Sequence, residues 1–451
     1  MKAEEIKAQI LDLTEEYYKE VFAKETDFAP GDRIGYSGRI FNEKDMKNLV
    51  SSALEFWLTS GHYTEEFEKK LSEYLGVKYC SMVNSGSSAN LAAFMALTAE
   101  ELGERRIVPG DEVITVAAGF PTTVAPIVQY GAVPVFLDVT VREGNIDVSK
   151  LEEAVTDKTK AVVLAHTLGN TFDIALVKTI CEKYRLWLIE DNCDALGSEY
   201  QYQGEWKKTG SFGDISTCSF YPPHHITTGE GGAVCTNDIK LHRLINSFRD
   251  WGRECWCKPG VDNTCKQRYT GQFGEMPKGY DHKYIYSHFG YNLKATDLQA
   301  SVGCSQIEKL PGFVEKRREN WSYLYAGLKS LEDVLLLPEK TPNSNPSWFG
   351  FLMSVQEGCG YTRDGLADYL ERHNIQTRYL FAGNLIKQPC FNEMRNKKQG
   401  YRVVGKLDNT DFIMTHSLWI GVYPGMNKAK LDYMIACIYA YFKRECPSTP
   451  S

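Results

Sequence analysis

Residues 219–233 constrain this chain more than any other stretch, and they read SFYPPHHITTGEGGA. The stretches on either side, residues 214–220 and 233–236, have the composition of β-strands. A turn between strands that is rich in proline and glycine and carries two adjacent histidines is more typical of a functional site than of a core element. A bare pair of histidines in a loop is usually a surface feature, so the interpretation depends on the residues around the pair.

Composition favours a soluble globular enzyme. Apolar residues make up 43% of the 451 residues and charged residues 24%, as in ordinary globular proteins. A net charge of −7 argues against nucleic acid as a partner. The N-terminus does not resemble a signal peptide, and apolar runs such as residues 161–165 are too short to cross a membrane. We therefore expect a cytoplasmic protein with no membrane partner.

Strands and helices are predicted to alternate through the first two thirds of the chain, after an N-terminal helix at residues 3–24. The predicted strands are 79–83, 112–116, 133–139, 161–165 and 186–189. The predicted helices are 43–58, 63–75, 88–99, 122–129, 148–154 and 174–183. This βαβ order with nearly all-apolar strands indicates an α/β fold with a mainly parallel sheet covered on both faces.

The pattern changes after Asn292. Predicted elements there are helices 295–310 and 314–331, a strand at 348–355, and helices 362–373 and 428–442. The sequence therefore predicts a large α/β domain at residues 1–308 and a smaller C-terminal α+β domain at residues 309–451.

Two further segments have the residues of a ligand site. Residues 84–90 read NSGSSAN, and small residues between a strand and a helix are suited to binding phosphate at the helix N-terminus. Residues 186–195 read LWLIEDNCDA, a buried strand that ends in carboxylates, where parallel sheets bind ligands. The simpler alternatives are an ordinary turn with a helix N-cap for the first segment and a capping carboxylate for Asp191.

Four of the thirteen cysteines form a pattern: Cys193, Cys255, Cys257 and Cys265. Thiolates at this spacing suit either tetrahedral zinc or an iron–sulfur cluster, and the irregular stretch 255–279 would be the cluster-binding loop. Zinc would be structural, whereas a cluster would deliver single electrons. The alternative is that the three loop cysteines are incidental thiols. The other nine cysteines lie mostly in apolar elements and are interpreted as core.

The segments around residue 224 resemble the nucleotide-sugar aminotransferases that use pyridoxal phosphate (PLP) and have fold type I. In that family the pattern is Ser-Phe-His-Pro-x-Lys followed by Thr-Thr-Gly-Glu-Gly-Gly, and here His224 stands at the lysine position. No lysine occurs between Lys208 and Lys240. An imidazole cannot form the imine that anchors PLP, but with an ordinary pKa of about 6.5 it can act as a base. The resemblance therefore implies pyridoxamine phosphate (PMP) held without a covalent bond.

The resemblance also implies which residues contact the cofactor phosphate. They are Gly86, Ser87 and Ser219, whereas Asn292, in the motif GYNL, would reach the phosphate of a neighbouring subunit. The active site would then require a homodimer.

Three residues are implied around the cofactor ring. Phe120, in the motif GFPTT, would stack on the pyridine, and Asp191 would pair with its nitrogen and keep it protonated. Asp194 stands where aminotransferases have Gln or His beside the ring's 3-oxygen, which indicates altered proton handling.

Together with the four cysteines, residues 22–442 resemble the PMP- and [2Fe–2S]-dependent 3-dehydratases of 3,6-dideoxysugar synthesis, sugars found in lipopolysaccharide O-antigens. That resemblance implies C3 deoxygenation of CDP-4-dehydro-6-deoxy-D-glucose. His224 would be the base that acts on the PMP–sugar adduct, and Tyr221 and Phe349 would line the pocket. Electrons would come from NADH through a separate flavin and iron–sulfur reductase and then through the cluster on the four cysteines.

Other functions are still open at this point. One is a PLP-dependent sugar aminotransferase, against which the missing lysine argues. Another is a non-catalytic, zinc-stabilised binding protein with the same fold. A third is a 3-dehydratase without a cluster, which would take its electrons from an amino donor such as glutamate. The residues do not distinguish CDP-sugars from dTDP- or GDP-sugars.

Overall fold

The structure, a computed structural model, describes residues 2–23, 27–257 and 260–446. Lys24, at the end of the predicted N-terminal helix, lies outside the described residues. So do residues 258 and 259 of the predicted cluster-binding loop.

Helices account for much of the described chain. They are α1 (Ala3–Val21), α2 (Glu43–Glu55), α3 (His62–Leu75), α4 (Gly86–Ala96), α5 (Pro121–Tyr130), α6 (Ile174–Tyr184), α7 (Ile239–Arg249), α8 (Asp297–Leu328), α9 (Arg363–Arg372), α10 (Asn392–Lys397), α11 (Asp408–His416) and α12 (Lys428–Tyr441). None of the described helices combines the length and the apolar character that a membrane span requires.

The strands are short. They are β1 (Tyr79–Val83), β2 (Glu112–Val116), β3 (Val133–Leu137), β4 (Thr159–Ala165), β5 (Trp187–Asp191), β6 (Glu199–Tyr202), β7 (Glu205–Lys208), β8 (Ile215–Ser219), β9 (Gly232–Thr236), β10 (Leu335–Leu336), β11 (Ser344–Asn345), β12 (Gly350–Val355), β13 (Thr377–Tyr379), β14 (Arg402–Val403) and β15 (Ser417–Gly421).

The central sheet has eight strands in the order β1-β9-β8-β5-β4-β2-β3-β14. Every pairing from β8 to β14 is parallel, and β9 is antiparallel to both β1 and β8. Adjacent residues of one strand belong to different buried clusters, Val113 to one and Ile114 to another. Because successive side chains point to opposite faces, both faces of the sheet are covered. The predicted fold class is confirmed.

A second unit contains a four-stranded antiparallel sheet in the order β10-β12-β15-β13. Its core includes Leu366 of α9, Ile438 of α12 and Leu328 at the end of α8. The prediction of two helices at 295–310 and 314–331 is wrong, because α8 continues through Pro311 and crosses the predicted domain boundary at 308. Leu310 and Val314, on either side of Pro311, belong to the same buried cluster as Phe67 and Leu71 of α3, and this burial offsets the cost of a proline inside the helix.

Two further differences from the sequence prediction concern short elements. The predicted helix at 148–154 is a single 3₁₀ turn, Val148–Lys150, since a segment that buries little besides Leu151 and Ala154 does not offset the cost of a longer helix. Strand β14 lies late in the chain yet completes the edge of the central sheet beside β3, a pairing that two residues do not reveal in the sequence.

Candidate active site

A cavity of about 790 Å³ opens beyond the carboxyl ends of β2, β4, β5 and β8, and the second unit closes its far side. Ligands of open parallel sheets bind at this edge. Ten residues selected from the sequence line the cavity: Gly86, Ser87, Phe120, Asp191, Cys193, Asp194, Ser219, Tyr221, His224 and Phe349. Within the described chain no lysine lines it.

One end of the cavity is built to hold an anion. Helix α4 begins at Gly86, and the side chain of Ser85 caps it by accepting a hydrogen bond of 3.0 Å from the Ser88 amide. The N–H groups of Gly86 and Ser87 are left without partners inside the helix, and both residues line the cavity at the positive end of the helix dipole. A Cβ at residue 86 would lie 2.5 Å from Cβ of Ser219, so only glycine allows this close approach. These features fit a cofactor phosphate.

The carboxylate of Asp191 is buried and held in one orientation. Its Oδ2 accepts hydrogen bonds of 2.8 Å from the side chain of Asn90 and 2.7 Å from the hydroxyl of Thr123. Asn90 is fixed in turn by the hydroxyl of Thr217, at 2.7 Å. A buried, oriented carboxylate fits a protonated ring nitrogen. Asn90 and Thr123 belong to the sequence motifs NSGSSAN and GFPTT, but the sequence does not show that they hydrogen-bond Asp191.

His224 faces Asp194 across the cavity. Its Nε2 lies 3.4 Å from Oδ1 of Asp194, and each side chain is only 15% exposed. The rings of Phe349 and Tyr221 pack against the His224 imidazole, with centroid distances of 5.3 and 6.1 Å respectively. An imidazole beside a carboxylate can accept a proton and hold it as an ion pair.

The adjacent histidine has a different role. His225 is buried, and its imidazole Nε2 lies 2.8 Å from the carbonyl oxygen of Ser347. Burial, together with the charge of Arg317, lowers the pKa of His225 well below its usual value. His225 therefore stays neutral, and only His224 of the pair lines the cavity.

Side chains from the second unit complete the wall. Phe349, Trp419 and Phe381 contribute apolar surface, and the ring of Phe381 lies 6.1 Å from that of Phe120. Among the described lining residues, Arg378 is the one that carries a fixed positive charge, and its guanidinium lies 4.1 Å from the ring centroid of Tyr36.

Asn292 lies away from this cavity. Its backbone forms an isolated antiparallel bridge with Asp250, and its Oδ1 accepts a hydrogen bond of 2.9 Å from the ammonium of Lys294. Asn292 is therefore not among the residues that line this cavity.

Three of the four selected cysteines come together. The sulfur atoms of Cys255, Cys257 and Cys265 lie within 4.8 Å of one another. Burial raises the pKa of the Cys257 thiol, but hydrogen bonds, including those from Thr264 and from the backbone of Cys265, lower it to about 7. Three close thiols fit three ligands of either zinc or an iron–sulfur cluster.

Cys193 does not belong to this group, so the expected four-cysteine set is not formed in the described chain. Its thiol lies at the cavity wall, 3.1 Å from the position that a Cβ on Gly86 would take. Cys193 follows β5 at the edge of the sheet, whereas the other three belong to the long connection between α7 and α8. Burial and the charge of Asp191 raise the pKa of Cys193 well above its usual value.

Comparison with known proteins agrees with this geometry. Residues 40–439 match the DegT/DnrJ/EryC1/StrS aminotransferase family. The chain is 51% identical to the lipopolysaccharide biosynthesis protein RfbH of Salmonella typhimurium, over 98% of this chain and 99% of that protein. It is 47% identical to dTDP-4-dehydro-2,6-dideoxy-D-glucose 3-dehydratase of Saccharopolyspora spinosa, over 96% of this chain and 91% of that enzyme.

A solved structure of E. coli GDP-4-keto-6-deoxy-D-mannose-3-dehydratase with bound hydrated PLP is also similar, with a TM-score of 0.79 and 28% identity, covering 90% of this chain and 99% of that one. The extent of the family match and the identity to these relatives show that the chain belongs to the DegT/DnrJ/EryC1/StrS aminotransferase family.

Proposed function

We propose that the chain is a PMP-dependent 3-dehydratase of nucleotide-linked 4-keto-6-deoxysugars, with His224 as its base. The observation that carries this proposal is the imidazole of His224, 3.4 Å from Asp194, in a cavity whose described lining contains no lysine. The 3-dehydratases among the relatives support the reaction class.

The residues of the cavity fit PMP. Its phosphate would bind at the first turn of α4 with Ser219, and its ring would lie between Phe120 and the wall beside Asp191. Bound PMP supplies a primary amine for the sugar ketone and a ring that accepts electrons. Asp191 would hold the proton on the ring nitrogen, because its carboxylate is already oriented by Asn90 and Thr123.

His224 would move the protons of the dehydration. His224 lines the cavity beside Asp194, and its Nε2 would accept a proton from carbon C4′ of the cofactor, while Asp194 would stabilise the resulting imidazolium. The same Nε2–H, or the hydroxyl of Tyr221, would then protonate the departing C3 hydroxyl. Since an imidazole cannot anchor the cofactor covalently, an ordinary transamination cycle would be disfavoured.

The substrate is proposed to be a CDP-sugar, most directly CDP-4-dehydro-6-deoxy-D-glucose. Phe349 and Trp419 offer apolar contact to the deoxysugar, and Arg378 offers a positive charge to the diphosphate. The choice of CDP over dTDP or GDP follows the resemblance found in the sequence.

A [2Fe–2S] cluster is proposed on Cys255, Cys257 and Cys265, with electrons supplied by a separate NADH-dependent flavin and iron–sulfur reductase. Cys193 is still proposed as the fourth ligand. Because the Cys193 thiol lies outside the three-cysteine group, the 255–279 loop would have to move toward the cavity to bring the four sulfur atoms together. A homodimer is proposed as well, in which Asn292 of each subunit would serve the site of the other.

The test is anaerobic incubation of the protein with PMP, CDP-4-dehydro-6-deoxy-D-glucose, NADH and such a reductase, followed by mass spectrometry. A 3-deoxy sugar is the expected product, and His224→Asn is expected to form it about 10²- to 10⁴-fold more slowly. An amino sugar formed from an amino donor would contradict the proposal. Parallel incubations with the dTDP and GDP analogues would measure the nucleotide preference.

A 3-dehydratase that works without a cluster is the second candidate. The position of Cys193 outside the three-cysteine group favours it. It predicts a 3-deoxy product with glutamate as donor, without NADH or reductase, from protein that contains no iron.

A further inference from the structure

The turn that carries His224 is tied to the second unit by a buried arginine. Arg317, on α8, is 2% exposed. Its Nη2 donates a hydrogen bond of 3.4 Å to the carbonyl oxygen of His224, and its Nη1 donates one of 3.1 Å to the carbonyl oxygen of Trp348. One planar side chain therefore joins the His224 turn to the segment that leads into β12.

The neighbouring contacts converge on the same segment, residues 347–349. The imidazole of His225 hydrogen-bonds the carbonyl oxygen of Ser347, and the ring of Phe349 packs 5.3 Å from that of His224. The guanidinium carbon of Arg317 lies 6.0 Å from the ring centroid of Phe349. His224 is thus held through its own carbonyl, through the next residue and through its ring.

Burial of the Arg317 charge is energetically costly, and the structure does not offset it in the usual way. No ion pair joins Arg317 to a carboxylate in the described part of the chain, and its Nε is buried without a hydrogen-bond partner there. Burial lowers the pKa of Arg317 to about 9, and the nearby charge of Asp194 acts against that shift. An arginine kept at such a cost is expected to have a role beyond packing.

The need for such a tie follows from the site's chemistry. A lysine at residue 224 would be held at its far end by a covalent bond to the cofactor, but an imidazole is held only by the protein. Proton transfer requires heavy atoms about 2.6–3.2 Å apart, and a displacement of about 1 Å can cost about 10²-fold in rate.

We propose that Arg317 is a positioning residue that replaces the covalent anchor: its guanidinium holds the His224 carbonyl and so keeps the imidazole at proton-transfer distance from the bound cofactor. This inference rests on the proposed function. Arg317 does not line the cavity, so it acts through His224 rather than on the substrate.

Adjacent Arg318 provides a matched control. Arg318 is partly buried, whereas Arg317 is fully buried. Arg318 also binds the approach to β12, through hydrogen bonds to the carbonyl oxygens of Asn345 and Pro346, but among the described contacts it has no hydrogen bond to His224. Arg317→Lys keeps the positive charge but cannot donate to both carbonyl oxygens in the geometry of a guanidinium. Arg317→Gln removes the charge as well as that geometry. Arg318→Lys makes the first of these changes at the control position.

The experiment has two independent readouts. The first is kinetic: Arg317→Lys is expected to lower kcat about 10-fold and Arg317→Gln about 10²-fold, with KM and the Kd of PMP within about threefold of wild type. Arg318→Lys is expected to leave kcat within about threefold. Unchanged kcat in both Arg317 variants, or an equal loss in Arg318→Lys, would overturn the proposal.

The second readout is the NMR signal of ring-labelled histidine in protein without PMP, with the His224 signal assigned by its absence in His224→Asn. Arg317→Lys is expected to shift or broaden that signal, and Arg318→Lys to leave it in place. An unmoved signal in Arg317→Lys would overturn the positioning role even if the protein catalysed no dehydration. Conversely, a moved signal in a protein without dehydratase activity would count against the proposed function alone. If Arg317→Gln does not fold, both kcat and the NMR signal are measured on Arg317→Lys alone.

Discussion

Substitution of Gly86 by alanine is expected to weaken PMP binding without unfolding the protein. The added Cβ would lie 2.5 Å from Cβ of Ser219 and 2.8 Å from its Oγ. Carbon atoms in contact are normally about 3.5–4.0 Å apart, so one of the two segments must move by about 1 Å. Ser219 belongs to the buried strand β8, which leaves the first turn of α4 as the part that moves.

The magnitude follows from the hydrogen bonds at that turn. The N–H groups of residues 86 and 87 would bind the phosphate, and a hydrogen bond to a charged group contributes about 1.5–3 kcal/mol. Loss of good geometry in one of them raises the Kd of PMP about 10- to 100-fold, since about 1.4 kcal/mol corresponds to a factor of ten.

The assay is a fluorescence titration of PMP into wild-type and variant protein. Gly312→Ala is the matched control, because a Cβ at that position of α8 meets no heavy atom within 4 Å. A Kd for Gly86→Ala within about threefold of wild type, in a variant that unfolds cooperatively, would refute the assignment of this turn as the phosphate site.

Three more predictions concern the base, the cysteines and the response to acid. His224→Asn should lower kcat for dehydration by about 10²- to 10⁴-fold while the Kd of PMP changes by less than about threefold, as judged by kinetics and titration. Serine at Cys255, Cys257 or Cys265 should remove bound iron and acid-labile sulfide, whereas retention of both in all three variants would rule out a cluster on this loop. Burial lowers the pKa of His242 to about 4, so the unfolded chain binds a proton that the folded protein does not, and stability falls as the pH drops below about 6.5. Between pH 7 and pH 5 the free energy of unfolding in urea should fall by about 2 kcal/mol more in wild type than in His242→Asn; an equal fall in the two proteins would contradict this.

The local pattern of apolar and turn-forming residues was sufficient to predict much of the fold. Apolar strands such as β1 and β2 were predicted with their observed bounds because each is a short buried run with turn residues at its ends. Strand β14 was missed because two residues are too few to show the alternation of apolar and polar side chains that identifies a strand. The continuity of α8 was missed because a proline in the sequence usually ends a helix, whereas here tertiary packing keeps the helix unbroken at Pro311.

The candidate site was predictable where a residue belongs to a motif. Asp191 ends strand β5, and His224 and the turn at Gly86 follow β8 and β1 at the same edge of the sheet, so the fold itself brings them together. Arg317 could not be found in this way, because nothing near it in sequence relates it to a turn 93 residues earlier. The grouping of the cysteines was only partly predictable, since spacing does not determine how a long irregular loop folds.

Reduction with borohydride after incubation with PLP, followed by mapping of the labelled peptides, tests the absence of a covalent anchor most directly. In wild type we expect no pyridoxyl group on any peptide that lines the cavity, and in His224→Lys we expect one at residue 224. A labelled cavity peptide in wild-type protein would contradict the account, because the cofactor would then be bound as in an ordinary aminotransferase.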